Sequence, residues 1–281
     1  RRRLFARSLR KHWIFFRKKK RKLQLKILDI VKDIDDVCKK NNIEYYILYG
    51  SALGAIRHKG FIPWDDDIDV MMPREDYNRM LQIVKTKKIS KDFELLVPGD
   101  EGYFYPFAKV CNNKTVAEMD DNYSKHGIWI DIFPMDTLPE DNDNLRKLFK
   151  KTRFWRAVVI SMTTRLSGEK SAKKKIAKLA LKIYANIYGK AKVVKKANQI
   201  AQSYNNTETS YIGGALWGYG PGERLNRNDY LDSCEVEFEK HYFKAPKCWN
   251  EYLIGLYGDY MKLPPVEKRQ THHLKAWRKD K

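Results

Sequence analysis

The sequence predicts an α/β protein with a mixed β-sheet at its core and helices packed against it. Short apolar runs, such as residues 43–49 and 126–136, have the length of strands. Longer stretches, such as residues 23–41 and 145–166, repeat apolar residues at helical spacing. A chain of 281 residues is long enough to bury one substantial core. Strands and helices of this kind, mixed along one chain, indicate an α/β domain.

A glycine-serine turn follows the first predicted strand. The apolar run from Tyr45 to Tyr49 ends at Gly50 and Ser51, and a short helical stretch, residues 52–57, begins directly after it. A strand, turn and helix in this order aim backbone N–H groups and the positive end of the helix dipole at one point. We therefore expect Gly50 and Ser51 to bind a phosphate group.

An acidic segment comes shortly after this turn. Asp65, Asp66, Asp67 and Asp69 precede the apolar residues 70–72. Side chains at positions i and i+2 of a strand share a face, so Asp67 and Asp69 are predicted to point the same way. Like charges that close raise each other's pKa unless a cation neutralises them. Because oxygen ligands favour Mg²⁺ or Mn²⁺, the segment predicts a divalent-metal site rather than a solvated acidic loop.

A third carboxylate is predicted from residues 126–136. Asp131 stands in the middle of residues 128–135, which are otherwise apolar. A buried carboxylate without a partner would cost of order 1–3 kcal/mol or more. A metal ion shared with Asp67 and Asp69 would supply that partner. Backbone hydrogen bonds at a strand end are the alternative for Asp131, and Glu118 is the alternative third ligand.

These motifs also resemble a known family. Residues 50–55 and 57–69 are similar to the signature of the LicD family, whose eukaryotic relatives include fukutin and fukutin-related protein. Residues 126–136 and 257–265 resemble further parts of that family. The resemblance implies a nucleotidyltransferase-type fold. It also implies transfer of a phospho-alcohol, such as phosphocholine or a polyol phosphate, from a CDP-linked donor to a glycan.

With this resemblance, the sequence predicts a Mg²⁺-dependent or Mn²⁺-dependent enzyme that uses CDP-choline or another CDP-alcohol and releases CMP. The predicted metal ligands are Asp65, Asp67, Asp69 and Asp131. The predicted donor-binding residues are Gly50, Ser51, Arg57, Lys59 and Lys109. Asp66 is the candidate to take the proton of the acceptor hydroxyl. For Lys109, an ordinary exposed lysine is the alternative interpretation.

The positive charge of the chain is confined to two segments. The sequence has 56 Lys and Arg against 35 Asp and Glu, a net charge of +21. Residues 1–22 hold twelve basic residues and no acid, and residues 170–196 hold ten lysines and no acid. The rest of the chain is close to neutral. We therefore expect two basic patches and no nucleic-acid partner.

Residues 1–22 are predicted to be a separate membrane-surface segment. Apolar residues recur there at helical spacing among arginines and lysines, namely Leu4, Phe5, Leu9, Trp13 and Phe16. This pattern is typical of a basic amphipathic helix on an anionic membrane. A disordered polybasic tail is the alternative.

Residues 23–281 are predicted to be one catalytic domain. It contains a lysine-rich helical insertion at about residues 140–205, whose cationic face would meet a membrane, a polyanionic acceptor or solvent. Four cysteines without Cys-x-x-Cys spacing indicate neither a zinc site nor a disulfide framework. No apolar run approaches the roughly 20 residues that cross a bilayer. We expect a cytoplasmic protein, peripheral at the inner face of the membrane.

A glycine-rich stretch, residues 213–222, contains five glycines and two aromatic residues. Trp217 or Tyr219 would stack on a base or a sugar. The glycines permit either a close approach of the backbone to another group or a hinge, and a mobile lid is the preferred interpretation.

Two other functions fit parts of the pattern. A nucleotidyltransferase acting on RNA would share the carboxylates and use the basic patches, but the chain has no recognisable RNA-binding module. A non-catalytic membrane adaptor would need no intact acidic segment, whereas all four aspartates are present here. A lipid-linked or glycan acceptor therefore remains the preferred partner.

Overall fold

The computed structural model describes residues 2–86, 92–119, 126–169, 171–269, 271 and 274–279, without the side chains of residues 2–18, 85, 86 and 168. The described helices are α1 (Arg2–Lys40), α2 (Tyr49–His58), α3 (Arg74–Thr86), α4 (Asn142–Thr163), α5 (Ala172–Tyr188), α6 (Lys190–Ala201), α7 (Arg227–Leu231) and α8 (Trp249–Tyr257). The first strands are β1 (Tyr46–Ile47), β2 (Asp69–Pro73), β3 (Phe93–Leu96), β4 (Ala108–Asn112), β5 (Thr115–Glu118) and β6 (Trp129–Leu138). The later strands are β7 (Tyr211–Gly213), β8 (Leu225–Asn226), β9 (Ser233–Phe238), β10 (His241–Pro246) and β11 (Lys275–Arg278).

The core is a seven-stranded mixed sheet. Its main path is β1-β2-β6-β4-β3, and β7 joins the far end of β6 and pairs with β8. Strands β2 and β6 are parallel, while β1, β3 and β4 pair antiparallel with their neighbours. The predicted α/β class with a mixed sheet is therefore confirmed. The nucleotidyltransferase type of that sheet stays a prediction.

Two different cores cover the two faces of the sheet. Ile27, Ile30 and Ile34 of α1 recur at helical spacing and pack on one face beside Val70 and Ile132. The opposite face carries an aromatic core that includes Tyr49 and Phe133, together with α2 and α8. Since side chains alternate along a strand, Asp69 and Asp131 belong to the aromatic face, with Met71 and Phe133. The site is thereby assigned to one face of the sheet.

Helix α1 is continuous across the predicted boundary between residues 22 and 23. Lys20 donates from Nζ to the carbonyl of Trp64, and Gln24 donates to the carbonyl of Asp65. The predicted apolar face of residues 1–16 lies outside the described side chains. Among the described residues, none of the helices combines the length and apolarity that a bilayer crossing requires.

Strand β1 is shorter than the sequence indicates. The predicted strand continues to Tyr49, whereas β1 ends at Ile47 and α2 begins at Tyr49. Tyr49 has a φ of 52°, which turns the chain sharply after Leu48. Its ring is buried and its hydroxyl donates to Glu223 over 2.9 Å, so tertiary contacts hold this unusual backbone. Gly50 and Ser51 consequently lie in the first turn of α2.

Strands β4 and β5 follow each other along the chain across a turn at residues 113 and 114, yet they do not pair as a hairpin. Strand β5 follows the turn, but it pairs with β11 near the end of the chain, while β4 lies between β3 and β6. The pairing of β5 with β11 joins segments that are far apart in the sequence, so the apolar pattern around residues 104–119 does not indicate it. Between β6 and β7 the chain forms helices α4, α5 and α6, which share a third apolar core.

Candidate active site

The parallel pairing of β2 with β6 places two carboxylates side by side. Asp69 and Asp131 are register partners in neighbouring strands. On the other side of β6, Lys109 is the register partner of Asp131 in the antiparallel strand β4. Partners in adjacent strands lie about 4.5–5.5 Å apart at Cβ and point to the same face. Three charged side chains therefore meet in one row across the sheet.

Asp69 and Asp131 open into a cavity of about 760 Å³, which five carboxylates line. One of them, Asp259, follows α8, and we name the other four the acidic wall: Asp65, Asp67, Asp69 and Asp131. Asp65, Asp67 and Asp69 are half-buried, whereas the intervening Asp66 and Ile68 are buried. The extended backbone before β2 thus directs every second residue into the cavity.

Lys109 is placed differently from the prediction. Its side chain is 6% exposed and forms an ion pair with Asp131, where the sequence analysis assigned it to donor phosphates. Its ammonium group lies 4.7 Å from the centroid of the Trp129 ring and 5.0 Å from that of Tyr105. These cation–π contacts and the ion pair offset the cost of burying the charge. Lys109 therefore orients Asp131.

Asp66 faces away from the acidic wall. Its Oδ2 accepts hydrogen bonds from Thr271 Oγ1 at 3.2 Å and from the backbone N–H of Leu274 at 3.3 Å. Asp66 is buried, and it is absent from the residues that line the cavity. This position favours a structural role, anchoring the C-terminal segment, over the predicted role as a base. Glu118, the alternative third ligand, lies in β5 and does not line the cavity.

Gly50 and Ser51, at the start of α2, are placed differently, because Gly50 faces the cavity whereas Ser51 is buried against β2. Gly50 lines the cavity, and a Cβ atom at this position would lie 2.8 Å from Oδ2 of Asp65. The hydroxyl of Ser51 is buried and accepts a hydrogen bond from the backbone N–H of Asp69 over 2.9 Å. Ser51 therefore fixes the beginning of β2, while Gly50 leaves room for Asp65.

Four cationic side chains line the same cavity, and we name them the basic rim: Arg57, Arg156, Lys262 and Lys268. The sequence analysis identified only Arg57. Lys59, the other predicted residue, is the exposed C-cap of α2 and does not line the cavity. Arg156 was not predicted, because in the sequence it is one of several basic residues in a helix and nothing local distinguishes it from an arginine on the surface. Its guanidinium group donates to the carbonyl of Gly218, which links α4 to the glycine-rich stretch.

The remaining surface of the cavity is largely aromatic. We name the following residues the aromatic wall: Tyr49, Trp64, Phe133, Trp217, Tyr219, Tyr257 and Tyr260. The Tyr219 ring is 5.4 Å from Tyr49 and tilted by 48°, and it is 5.8 Å from Tyr257 and nearly perpendicular to it. Burial, the neighbouring Tyr219 and then the charges of Asp69 and Asp65 raise the pKa of Tyr257. We name Tyr49, Tyr219 and Tyr257 the aromatic corner, and they line the same cavity as the acidic wall.

A buried glutamate organises the glycine-rich stretch. Glu223 is fully buried, and it accepts hydrogen bonds from the Tyr49 hydroxyl and from the backbone N–H of Tyr219. A Cβ atom at Gly214 or Gly218 would lie within 2.5 Å of a Glu223 carboxylate oxygen. The glycines therefore allow the backbone to wrap closely around this carboxylate. The sequence carries no local signal for this role of Glu223, and its glycines predicted a mobile lid instead.

The acidic wall has the chemistry of a site for a hard divalent cation. Its four side chains offer only oxygen ligands, and they line a cavity that also holds the basic rim. Within the described ranges, no three His, Cys, Asp or Glu side chains are already gathered around a single point. Mg²⁺ tolerates this arrangement, because it takes several of its ligands from water and from substrate phosphates. The donor set therefore fits Mg²⁺ or Mn²⁺.

Comparison with known proteins gives one family match. Residues 42–172 match the family described as "LicD/FKTN/FKRP, nucleotidyltransferase domain", and this range includes the whole acidic wall. The lipopolysaccharide cholinephosphotransferase LicD of Haemophilus influenzae is 32% identical over 263 residues, which is 90% of this chain and 96% of that protein. An uncharacterized protein of Rickettsia prowazekii is 43% identical over 63 residues, 22% of this chain and 24% of that protein. One of Rickettsia typhi is 43% identical over 63 residues, 22% of this chain and 20% of that protein.

The first prediction concerns Glu223, because burial raises its pKa from 4.5 to about 7. Between these two values the folded protein retains a proton that the unfolded chain has released. Stability must therefore fall as the pH rises through this window. We expect the free energy of unfolding to fall less between pH 5 and pH 8 in Glu223→Gln than in the wild type, as measured by urea unfolding at each pH. Glu251→Gln, on the exposed side of α8, is the control and should behave as wild type. An equal decline in all three proteins would contradict the prediction.

Proposed function

Because this chain belongs to the LicD family, we propose that it transfers a phospho-alcohol from a CDP-linked donor to a glycan hydroxyl and releases CMP. The observation that carries the proposal is the meeting of the acidic wall, the basic rim and the aromatic wall in one cavity. Phosphoryl transfer depends mainly on positioning and on neutralising charge, and such a cavity supplies groups for both.

The proposed reaction is a displacement at phosphorus. The acceptor oxygen forms a bond to the phosphorus that carries the alcohol, and the bond from that phosphorus to the bridging oxygen breaks. CMP leaves with the bonding electrons, and a carboxylate of the acidic wall takes the proton of the acceptor. Arg57 and Arg156 would neutralise the charge that develops on the phosphate oxygens. The N-terminus of α2 at Gly50 would favour an anion beside them.

In this proposal Asp65, Asp67, Asp69 and Asp131 would hold a divalent ion. When bound, it supplies electrostatic neutralisation of the donor diphosphate. Lys109 would keep Asp131 oriented through their ion pair, and Ser51 would keep Asp69 in place through its hydrogen bond to the backbone.

The aromatic corner favours phosphocholine as the transferred group. A quaternary ammonium binds to aromatic faces by cation–π attraction, and nearby carboxylates strengthen that attraction. Tyr219, Tyr257 and Tyr49 present rings at steep mutual angles beside the acidic wall. A polyol phosphate would instead need several hydrogen-bond partners for its hydroxyl groups. The name of the Haemophilus influenzae relative, a cholinephosphotransferase that acts on lipopolysaccharide, supports the same choice.

We further propose that the acceptor is a glycan or a lipid-linked polyanionic chain, reached at the inner face of the membrane. The twelve basic residues of the segment 1–22 would attract an anionic membrane surface. An enzyme held there would meet a lipid-linked acceptor more often than one free in solution.

The direct test is a panel of donors. The purified chain is incubated with Mg²⁺, a lipopolysaccharide-type or teichoic-acid-type acceptor, and CDP-choline, CDP-ribitol or CDP-glycerol. We expect acceptor-dependent CMP release with CDP-choline and much less with the two polyol donors. Release with none of the donors over the panel of acceptors would contradict the proposed reaction.

Asp67→Asn and Asp69→Asn should each lower CMP release by about 100-fold or more, because each removes a charge from the acidic wall. Asparagine has nearly the same size, so both variants should keep the wild-type circular dichroism spectrum. Asp143→Asn, at an exposed position of α4, is the matched control and should retain full activity. Near-normal turnover in either cavity variant would refute the role of the acidic wall.

Tyr219→Ala should raise the KM for CDP-choline by about 5–30-fold, the equivalent of one cation–π contact of about 1–2 kcal/mol. Tyr219→Phe keeps the aromatic face and should stay within about twofold of the wild type. Any residual turnover of CDP-glycerol should change little in both variants. If Tyr219→Ala impaired turnover of CDP-choline and CDP-glycerol equally, Tyr219 would not recognise the choline headgroup.

A further inference from the structure

Helix α5 leaves its apolar residues in solvent. Of its 17 residues, only Ala185 is buried. Ile176 is 70% exposed, Leu179 45%, Ile183 51% and Ile187 82%. A helix that merely covers a core turns such residues inward, and neighbouring α4 and α6 bury most of theirs. The exposed residues of α5 therefore need another explanation.

These four residues form one stripe. They are separated by three, four and four positions, which keeps them on a single face of the helix. At 1.5 Å per residue the stripe is roughly 17 Å long. Tyr184 and Tyr188 stack on each other beside it, and Phe154 of α4 packs edge-on against Tyr184 while remaining 46% exposed. The apolar surface thus extends from α5 to the edge of α4.

The stripe is surrounded by positive charge. Residues 170–196 contain ten lysines and no acidic residue. Lys173, Lys174 and Lys175 are exposed at the start of α5, and Lys192 is exposed in α6. Helices that lie in the interface of a bilayer typically carry large apolar side chains on one face and lysines at its borders, as α5 does.

Charge decides which partner fits. A second copy of this chain would bring ten more lysines against the first ten, and this repulsion would oppose self-association. An anionic lipid surface attracts the lysines, and its headgroup region accepts the apolar stripe.

We propose that the exposed face of α5 is a membrane-binding surface, which inserts Ile176, Leu179, Ile183 and Ile187 into the interface of an anionic bilayer. This surface is separate from the N-terminal segment 1–22. It also does not depend on the proposed reaction, since none of its residues lines the cavity.

The test measures binding of the full chain to vesicles of phosphatidylcholine, with and without 30% phosphatidylglycerol, by co-sedimentation. Ile183→Ser combined with Ile187→Ser should lower the partition coefficient on the anionic vesicles by about tenfold or more. Both side chains are exposed, so the fold should not change. Tyr242→Ser combined with Ile254→Ser alters two other large exposed side chains, 59% and 52% exposed, outside α5 and is the control, with unchanged binding expected.

A second variant isolates the charges. Lys173→Gln, Lys174→Gln and Lys175→Gln together should lower binding to the anionic vesicles by about tenfold or more and reduce its salt dependence. All variants retain residues 1–22, so differences among them report on α5 alone. Wild-type binding by both α5 variants would overturn the proposal. It would equally be overturned by a wild-type dimer, seen in light scattering, that the serine variant converts to monomer.

Discussion

The structure of the site depends on the parallel pairing between β2 and β6. That pairing places Asp69 beside Asp131, two carboxylates that repel each other and that neighbouring strands cannot separate. The adjacent antiparallel strand brings Lys109 to the other side of Asp131, buried among aromatic rings. One lysine balances only part of the negative charge, because Asp65 and Asp67 line the same cavity. The strand register therefore groups negative charge on one side of a cavity whose basic rim lies elsewhere on its lining, and this grouping supports the proposed cation site.

Several distant segments keep the acidic segment in its extended form. From the side of α1, Lys20 and Gln24 donate hydrogen bonds to the carbonyl groups of Trp64 and Asp65. From α2, Ser51 accepts a hydrogen bond from the backbone of Asp69. On the far side, the buried Asp66 accepts from residues 271 and 274. Each of these contacts involves the backbone or the buried side chain of Asp66. The segment is therefore held in place by groups other than the side chains that face the cavity.

Much of this arrangement could be predicted from the sequence, and the reasons for the rest are physical. Alternation of polar and apolar residues is a local signal, so it predicted that Asp67 and Asp69 would face the same way. Register between strands is a long-range property, and neither the ion pair of Lys109 with Asp131 nor the pairing of β5 with β11 had a local signature.

The glycine-rich stretch shows a second limit. Glycine occurs both in flexible loops and in backbone that packs closely around another group, and the composition of residues 213–222 does not distinguish the two. Here the glycines surround the carboxylate of Glu223, which accepts a hydrogen bond from the backbone of Tyr219. The same carboxylate bonds the hydroxyl of Tyr49. The sequence indicated an unusual stretch, but only the position of Glu223 explains why its backbone approaches a carboxylate so closely.

Helix α4 connects the cavity with the proposed membrane-binding surface. Phe154 and Arg156 are two positions apart, which is roughly 200° around the helix, so they point in nearly opposite directions. Arg156 belongs to the basic rim and is bonded to the carbonyl of Gly218, whereas Phe154 packs against Tyr184 of α5. A helix of 22 residues is a stiff element, and α4 packs along both α5 and α6. An α5 face held in a bilayer would therefore fix the orientation of the basic rim relative to that bilayer. An acceptor anchored in the same bilayer would then approach the cavity from a restricted set of directions, which lowers the entropy cost of aligning its hydroxyl with the donor phosphorus.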